Sequence, residues 1–207
     1  MDVPLLQAIA SSALRTMPLF CPQHLTNLAW SFAKLSFLHT TLLDAISTAS
    51  MPRLSNFNTQ HLSNTAWSFA VLGWTNQPMM HEIAVAFIST MSEATNQSLT
   101  NTAWAYASLG VMNEPLMTVM AAASLPRISE EACQGVANLA WACASLPFLH
   151  RPLLDALAAQ AMRRMSSFEQ QNLCNTAWAF SSLECLHRPL LDAISLSAIA
   201  KLPDFTS

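Results

Sequence analysis

Apolar and polar positions along this chain follow the period of a helix. Within 60–72, Leu62, Ala66, Phe69, Ala70 and Leu72 fall on one side when each residue turns by about 100°. Trp67 stands at the edge of that face, and Gln60, Asn64, Ser68 and Val71 lie opposite. Gly73 follows, where a left-handed cap is expected, and Gly110 and Pro147 occupy the matching places further on. A second apolar segment then opens with Pro78, near a first helical position where the missing N–H costs nothing. The pattern predicts two helices per unit, joined by a short turn.

The unit repeats. Trp30, Trp67, Trp104, Trp141 and Trp178 are spaced by 37 residues each time, without insertions. An Asn stands three residues before each: Asn27, Asn64, Asn101, Asn138 and Asn175. A Gln stands four residues before each Asn: Gln23, Gln60, Gln97, Gln134 and Gln171. The second segment recurs as PLLQAIA at 4–10, TLLDAIS at 41–47, PMMHEIA at 78–84, PLMTVMA at 115–121, PLLDALA at 152–158 and PLLDAIS at 189–195. Asp44, Asp155 and Asp192 are expected in its first turn, where they suit the helix dipole. The links between units read SMPRLSNF, SLPRISEE and AMRRMSSF, and Ser167 with Gln170 fits a capping box for the next helix.

Neither helix can bury its apolar stripe alone, but stacked neighbours can. The predicted fold is therefore all-α: a right-handed α-solenoid of helix-turn-helix repeats with a period of 37 residues, forming one domain over 1–207. It comprises a partial repeat 1–26, then 27–63, 64–100, 101–137, 138–174 and 175–207. The first second-type helix has no first helix before it, and the chain stops at a link. It reads as a segment of a longer array.

Composition narrows the function. Hydrophobic residues make up 52% and charged residues 10%, which excludes a disordered chain. The 3 glycines are too few and too scattered for a phosphate-cradling loop. The 5 cysteines form no C-x-x-C, so neither a disulfide framework nor a zinc site is expected. No apolar run is long enough to span a membrane, and no signal or transit peptide is visible. Net charge is −3, with 9 Lys and Arg in all, so the chain is not basic overall. His39, His150 and His187 each stand five residues before an Asp. Recurrence in separate repeats, with Asn76 and Asn113 in place of His elsewhere, points to helix capping rather than acid–base chemistry. No enzymatic activity, cofactor, metal or small-molecule substrate is expected.

The unit Q-x-[LV]-x-N-[TL]-A-W-[AS]-[FYC]-[AS]-x-L, followed by a Pro-Leu-Leu helix, resembles the octotricopeptide repeat. The likeness is to the NTAWA-type repeats of algal and dinoflagellate proteins, and it covers nearly the whole chain. The period of 37 is one short of that family's usual 38. Tetratricopeptide and HEAT repeats differ in both period and motif. The resemblance implies an α-solenoid that binds single-stranded RNA in chloroplasts or mitochondria and acts in transcript stability, processing or translation.

The candidate contact residues follow from the helix projection. Counting from each Asn, the exposed stripe is expected at offsets −4, 0, +4 and +7, with −3 beside it. The unvarying Gln and Asn cannot encode a varying sequence. They are expected to form a structural ladder or a general RNA contact. The varying offsets are the base-reading candidates: His24, His61, Ser98 and Asn172 at −3, and Lys34, Ser108, Ser145 and Ser182 at +7. Gly135 and Val71 stand at these offsets without a side-chain hydrogen bond to offer. Arg15, Arg53, Arg127, Arg163, Arg164 and Lys201 lie in the links at matching places and are the phosphate candidates. The tryptophans are assigned to packing between helices, and Trp74 to a staple into the following helix. The favoured function is single-stranded RNA binding. The alternatives are a protein-interaction scaffold, on the low charge and the concave surfaces that solenoids offer, and a truncated segment of a longer repeat protein without independent function.

Overall fold

The computed structural model describes residues 2–201; Met1 and the end of the last repeat, 202–207, lie outside it. Among the described residues there are eleven α-helices and no strand. The first helices of the repeats are α2 (Pro22–Lys34), α4 (Thr59–Val71), α6 (Asn96–Ser108), α8 (Cys133–Ser145) and α10 (Gln170–Ser182). The second helices are α1 (Val3–Thr16), α3 (Thr40–Ser50), α5 (Gln77–Ser89), α7 (Glu114–Ser124), α9 (Arg151–Arg163) and α11 (Arg188–Ala200).

The turn inside each hairpin follows from backbone chemistry. Gly73 and Gly110 have φ of 61° and 64°, the left-handed region where a Cβ is penalised. Ser36 and Glu184 take the same conformation at the equivalent places. The next residue closes the cap: Trp74 N–H donates to the Phe69 carbonyl at 3.0 Å, and Val111 N–H to that of Tyr106 at 2.9 Å. An apolar contact joins the same pair of positions, as such caps require. The Phe32 and Phe37 rings lie 5.8 Å apart and those of Phe69 and Trp74 4.7 Å apart, edge to face. Trp74 thus seals the end of the preceding helix.

The second helix is then capped by a side chain that recurs in every full hairpin. Nδ1 of His39, His150 and His187 accepts from the N–H of Leu42, Leu153 and Leu190, each at 3.2 Å. Oδ1 of Asn76 and Asn113 accepts from Met79 and Leu116 N–H at 3.0 Å. Because the helix begins straight after this cap, Asp44, Asp155 and Asp192 sit in its second turn, and the first turn of these helices holds no acidic residue. The expected dipole role therefore falls away. The cap of α10 also differs from expectation. Met165–Ser167 forms a 3-10 turn and Phe168 is extended, which moves the start of the helix to Gln170. Its capping pair is Glu169, whose N–H donates to Asn172 Oδ1 at 3.0 Å.

The chain divides into two compact units, Met1–Leu116 and Met117–Ser207. In the first, α4 packs between α2 and α6, and α3 packs against α1. The buried positions repeat: Leu25, Ala29 and Phe32; Leu62, Ala66 and Phe69; Leu99, Ala103 and Tyr106. Small polar residues let the first helices approach, and the buried Thr26 and Thr65 hydroxyls meet at 3.2 Å. Tyr106 O–H donates to the Met80 carbonyl at 2.5 Å, and burial pushes the phenol above its ordinary range. In the second unit, α8 packs on α10 and α9 on α11. Val136, Ala140 and Cys143 are buried with Leu173 and Phe180. Buried Gln160 ties α9 to its link through bonds from Nε2 to the Ser129 and Glu131 carbonyls, at 3.0 and 3.2 Å. Side-by-side hairpins of this kind are the construction of an α-solenoid.

Candidate nucleic-acid interface

Each first helix carries its recurring polar residues on an edge open to solvent. Gln23, Gln60, Gln97, Gln134 and Gln171 are all exposed. One turn on, Asn27 is exposed and Asn64, Asn101, Asn138 and Asn175 are half-buried. Among the described residues, none of these ten side-chain amides is hydrogen-bonded to the rest of the protein, so they build no ladder from helix to helix.

The tryptophans lie on the same edge. Trp30 is 43% and Trp178 47% exposed, and Trp67, Trp104 and Trp141 are half-buried. Packing between helices accounts for only part of each ring. The Asn-to-Trp step of three residues places both on one helix face, and this spacing could have placed the Trp on the exposed stripe from sequence. What the stripe loses is offset +4: Ser68, Ala105, Ala142 and Ala179 are buried, and Ser31 alone is exposed. Neighbouring first helices cover that side. The face left open runs Gln, Asn, Trp and then offset +7.

At offset +7, Lys34, Ser108 and Ser182 are exposed, as is Val71, and Ser145 is half-buried. Lys34 Nζ lies 5.7 Å from the centre of the Trp30 ring. Offset −3 has different surroundings. Ser98, Gly135 and Asn172 are buried, His61 is half-buried and His24 is exposed. This is the third residue of each first helix, and in α2, α4, α6 and α10 its side chain is engaged in the cap. His24 Nδ1 accepts from Cys21 N–H and His61 Nδ1 from Asn58 N–H, each at 3.4 Å. Ser98 Oγ donates to the Thr95 carbonyl at 2.9 Å. In three of the repeats the residue at −3 also fits the link residue four places before it. His24 meets Phe20 and His61 meets Phe57 edge to face, at 5.7 and 5.9 Å. Where Glu131 replaces the aromatic ring, Gly135 leaves the space that the Glu131 side chain fills. Partial burial lowers the His61 pKa below its usual value.

The six cations fall into two registers. Arg53, Arg127, Arg164 and Lys201 share one and are half-buried, while Arg15 and Arg163, one place earlier, are exposed in the last turns of α1 and α9. Arg53 reaches back to the preceding link: Nη1 donates to the Phe20 carbonyl at 2.9 Å and Nε to the Ala49 carbonyl at 3.0 Å. Lys201 Nζ does the same with the Phe168 carbonyl, and with that of Ser166 at 3.3 Å. Lys201 and Gln171 border one cavity of about 540 Å³, together with Ser166, Ser167 and Glu169. There the start of a stripe and a link cation come together.

Compared with known protein families, the chain matches the RNA-editing substrate-binding complex 6 protein (RESC6) family over residues 46–188. The chain belongs to the RESC6 family. The match takes in the stripes of α4, α6, α8 and α10. No curated protein matches this RESC6-family chain. Among its described residues, no helix is long and apolar enough to cross a membrane, and no group of three or more His, Cys, Asp or Glu could hold a metal ion.

Proposed function

We propose that this chain binds single-stranded RNA along its first helices and works without catalysis of its own inside an RNA-processing assembly. One observation carries the reading. Gln, Asn and Trp recur on five helices, remain open to solvent, and offer amides that the fold does not use. A solvated face with no task would tolerate many residues at these places. Unpaired bases present the complementary chemistry, with hydrogen-bonding edges for amides and flat faces for indoles. The family's name, which places it in an RNA-editing substrate-binding complex, supports an RNA partner and companion proteins. The octotricopeptide resemblance supports the same partner and an organelle, chloroplast or mitochondrion.

The test is equilibrium binding of a 12-nucleotide single strand and its duplex by fluorescence anisotropy, at low and near-physiological salt. We expect the single strand to bind more tightly, with a shallow salt dependence, because few cations are exposed. Failure to bind either nucleic acid at low salt would overturn the reading. It would favour a protein scaffold, which the net charge of −3 supports.

A further inference from the structure

Trp141 on α8 and Trp178 on α10 occupy the same place in successive first helices. Their ring centroids lie 6.4 Å apart, with the planes inclined at 33°. Trp178 is 47% exposed, and Trp141 is half-buried beside it. Asn138 and Asn175 stand one turn before the two rings, and Ser145 and Ser182 one turn after. In the first unit Trp30 is exposed in the same way, with Lys34 against its ring.

A ring needed only for packing would be covered, whereas Trp30 and Trp178 are exposed and Trp67, Trp104 and Trp141 only half-buried, in repeats whose neighbouring residues are small. We propose that the indoles are stacking platforms for unpaired RNA bases, one base to each first helix, with Trp141 and Trp178 forming a two-ring platform. The inference rests on the RNA-binding reading above and divides its labour. Stacking accepts any base, since every base has a π-face, so the residue that stacks need not vary. Asn at −3 from each Trp offers both a donor and an acceptor to whichever base edge arrives. Choice among bases then falls to the residue four places after each Trp, which does vary: Lys34, Val71, Ser108, Ser145 and Ser182. These side chains lie on the same helix face as the indole, one turn on. The unvarying and varying positions of the stripe thereby acquire different tasks.

The experiment compares a 12-nucleotide RNA with an abasic ribose-phosphate strand of equal length, using the full chain and its Trp178→Leu and Trp178→Phe variants. Wild type should prefer the base-bearing strand by tenfold or more. Trp178→Leu should weaken binding of that strand by roughly five- to hundredfold, and Trp178→Phe by much less. Both variants should bind the abasic strand as wild type does. Equal wild-type affinity for the two strands would overturn the stacking proposal, as would unchanged binding by Trp178→Leu. Neither result would remove RNA binding itself. A wild-type chain that binds no RNA would remove both readings. The strand comparison needs wild type alone, so it decides the matter even where a variant folds poorly.

Discussion

Arg53 offers a sharp separation between a fold-holding cation and a phosphate-binding one. Its guanidinium makes two bonds to backbone carbonyls, at 2.9 Å to Phe20 and 3.0 Å to Ala49, and the first of these ties one link to the link before it. A hydrogen bond from a charged donor contributes about 1.5–3 kcal/mol when well buried. Arg53 is half-buried, so water replaces part of what is lost. Arg53→Ala should then cost about 1–2 kcal/mol in all. For a chain of this size that lowers the melting temperature by about 2–8 °C. Arg53→Lys should lose less than half as much, because Lys201 makes the equivalent bond to Phe168 with a single ammonium. Thermal melts followed by circular dichroism at 222 nm measure the first effect. RNA anisotropy well below the melting range measures the second, and we expect less than a twofold change in affinity. Melting unchanged, with affinity weakened alike for every RNA sequence, would refute the reasoning. It would make Arg53 a phosphate contact.

Replacing His150 by Asn should leave stability nearly unchanged, since Asn76 and Asn113 cap the equivalent helices, while His150→Ala should cost about 1 kcal/mol in chemical denaturation. Acid should act through His61. Burial lowers its pKa below 6.5, so the folded chain holds the neutral imidazole longer than the unfolded chain does. Its contribution is complete above pH 6.5 and is lost as pH falls through the lowered folded value. His61→Asn, which copies Asn172 at the same place in α10, should flatten that part of a melting-temperature profile between pH 7.5 and 5. The backbone at the hairpin turns predicts opposite signs for one exchange: Gly73→Ala should destabilise by about 1 kcal/mol, and Glu184→Gly should stabilise by a few tenths to 1 kcal/mol. Burial pushes the Cys143 thiol up to about 12, so maleimide labelling at pH 8 should mark the exposed Cys21 and Cys174 in minutes and leave Cys143 unmarked until the chain unfolds.

Helix identity and turn chemistry were legible in the sequence because both are local. The apolar faces of α2, α4 and α6 repeat at helical spacing, and glycine follows Leu72 and Leu109 where the chain must turn left-handed. Histidine capping was also legible, since Asn substitutes for His at the same place in other repeats. What depends on neighbouring helices was harder to read. A single-helix projection puts Ser68 opposite the apolar face, yet α4 has a helix on each side, so that edge is covered. The same projection puts the Trp rings at an edge without saying how far that edge is open. Variation at offset −3 reads as a code when its partner is unknown. The fold adds contacts to the link residue four places before it: His24 with Phe20, His61 with Phe57, Gly135 with Glu131. The cations of the links looked alike in sequence because the carbonyls that Arg53 and Lys201 bond lie 33 residues away.

The central claim is that RNA lies along the first helices and not along the second helices or the links. Photo-crosslinking of a 4-thiouridine-containing single strand to the full chain, with the attachment sites mapped by mass spectrometry, addresses it directly. The account predicts attachment on the Asn-to-offset-+7 segments, 27–34, 64–71, 101–108, 138–145 and 175–182. Attachment confined to α3, α5, α7, α9 or α11, or to the link arginines alone, would contradict it.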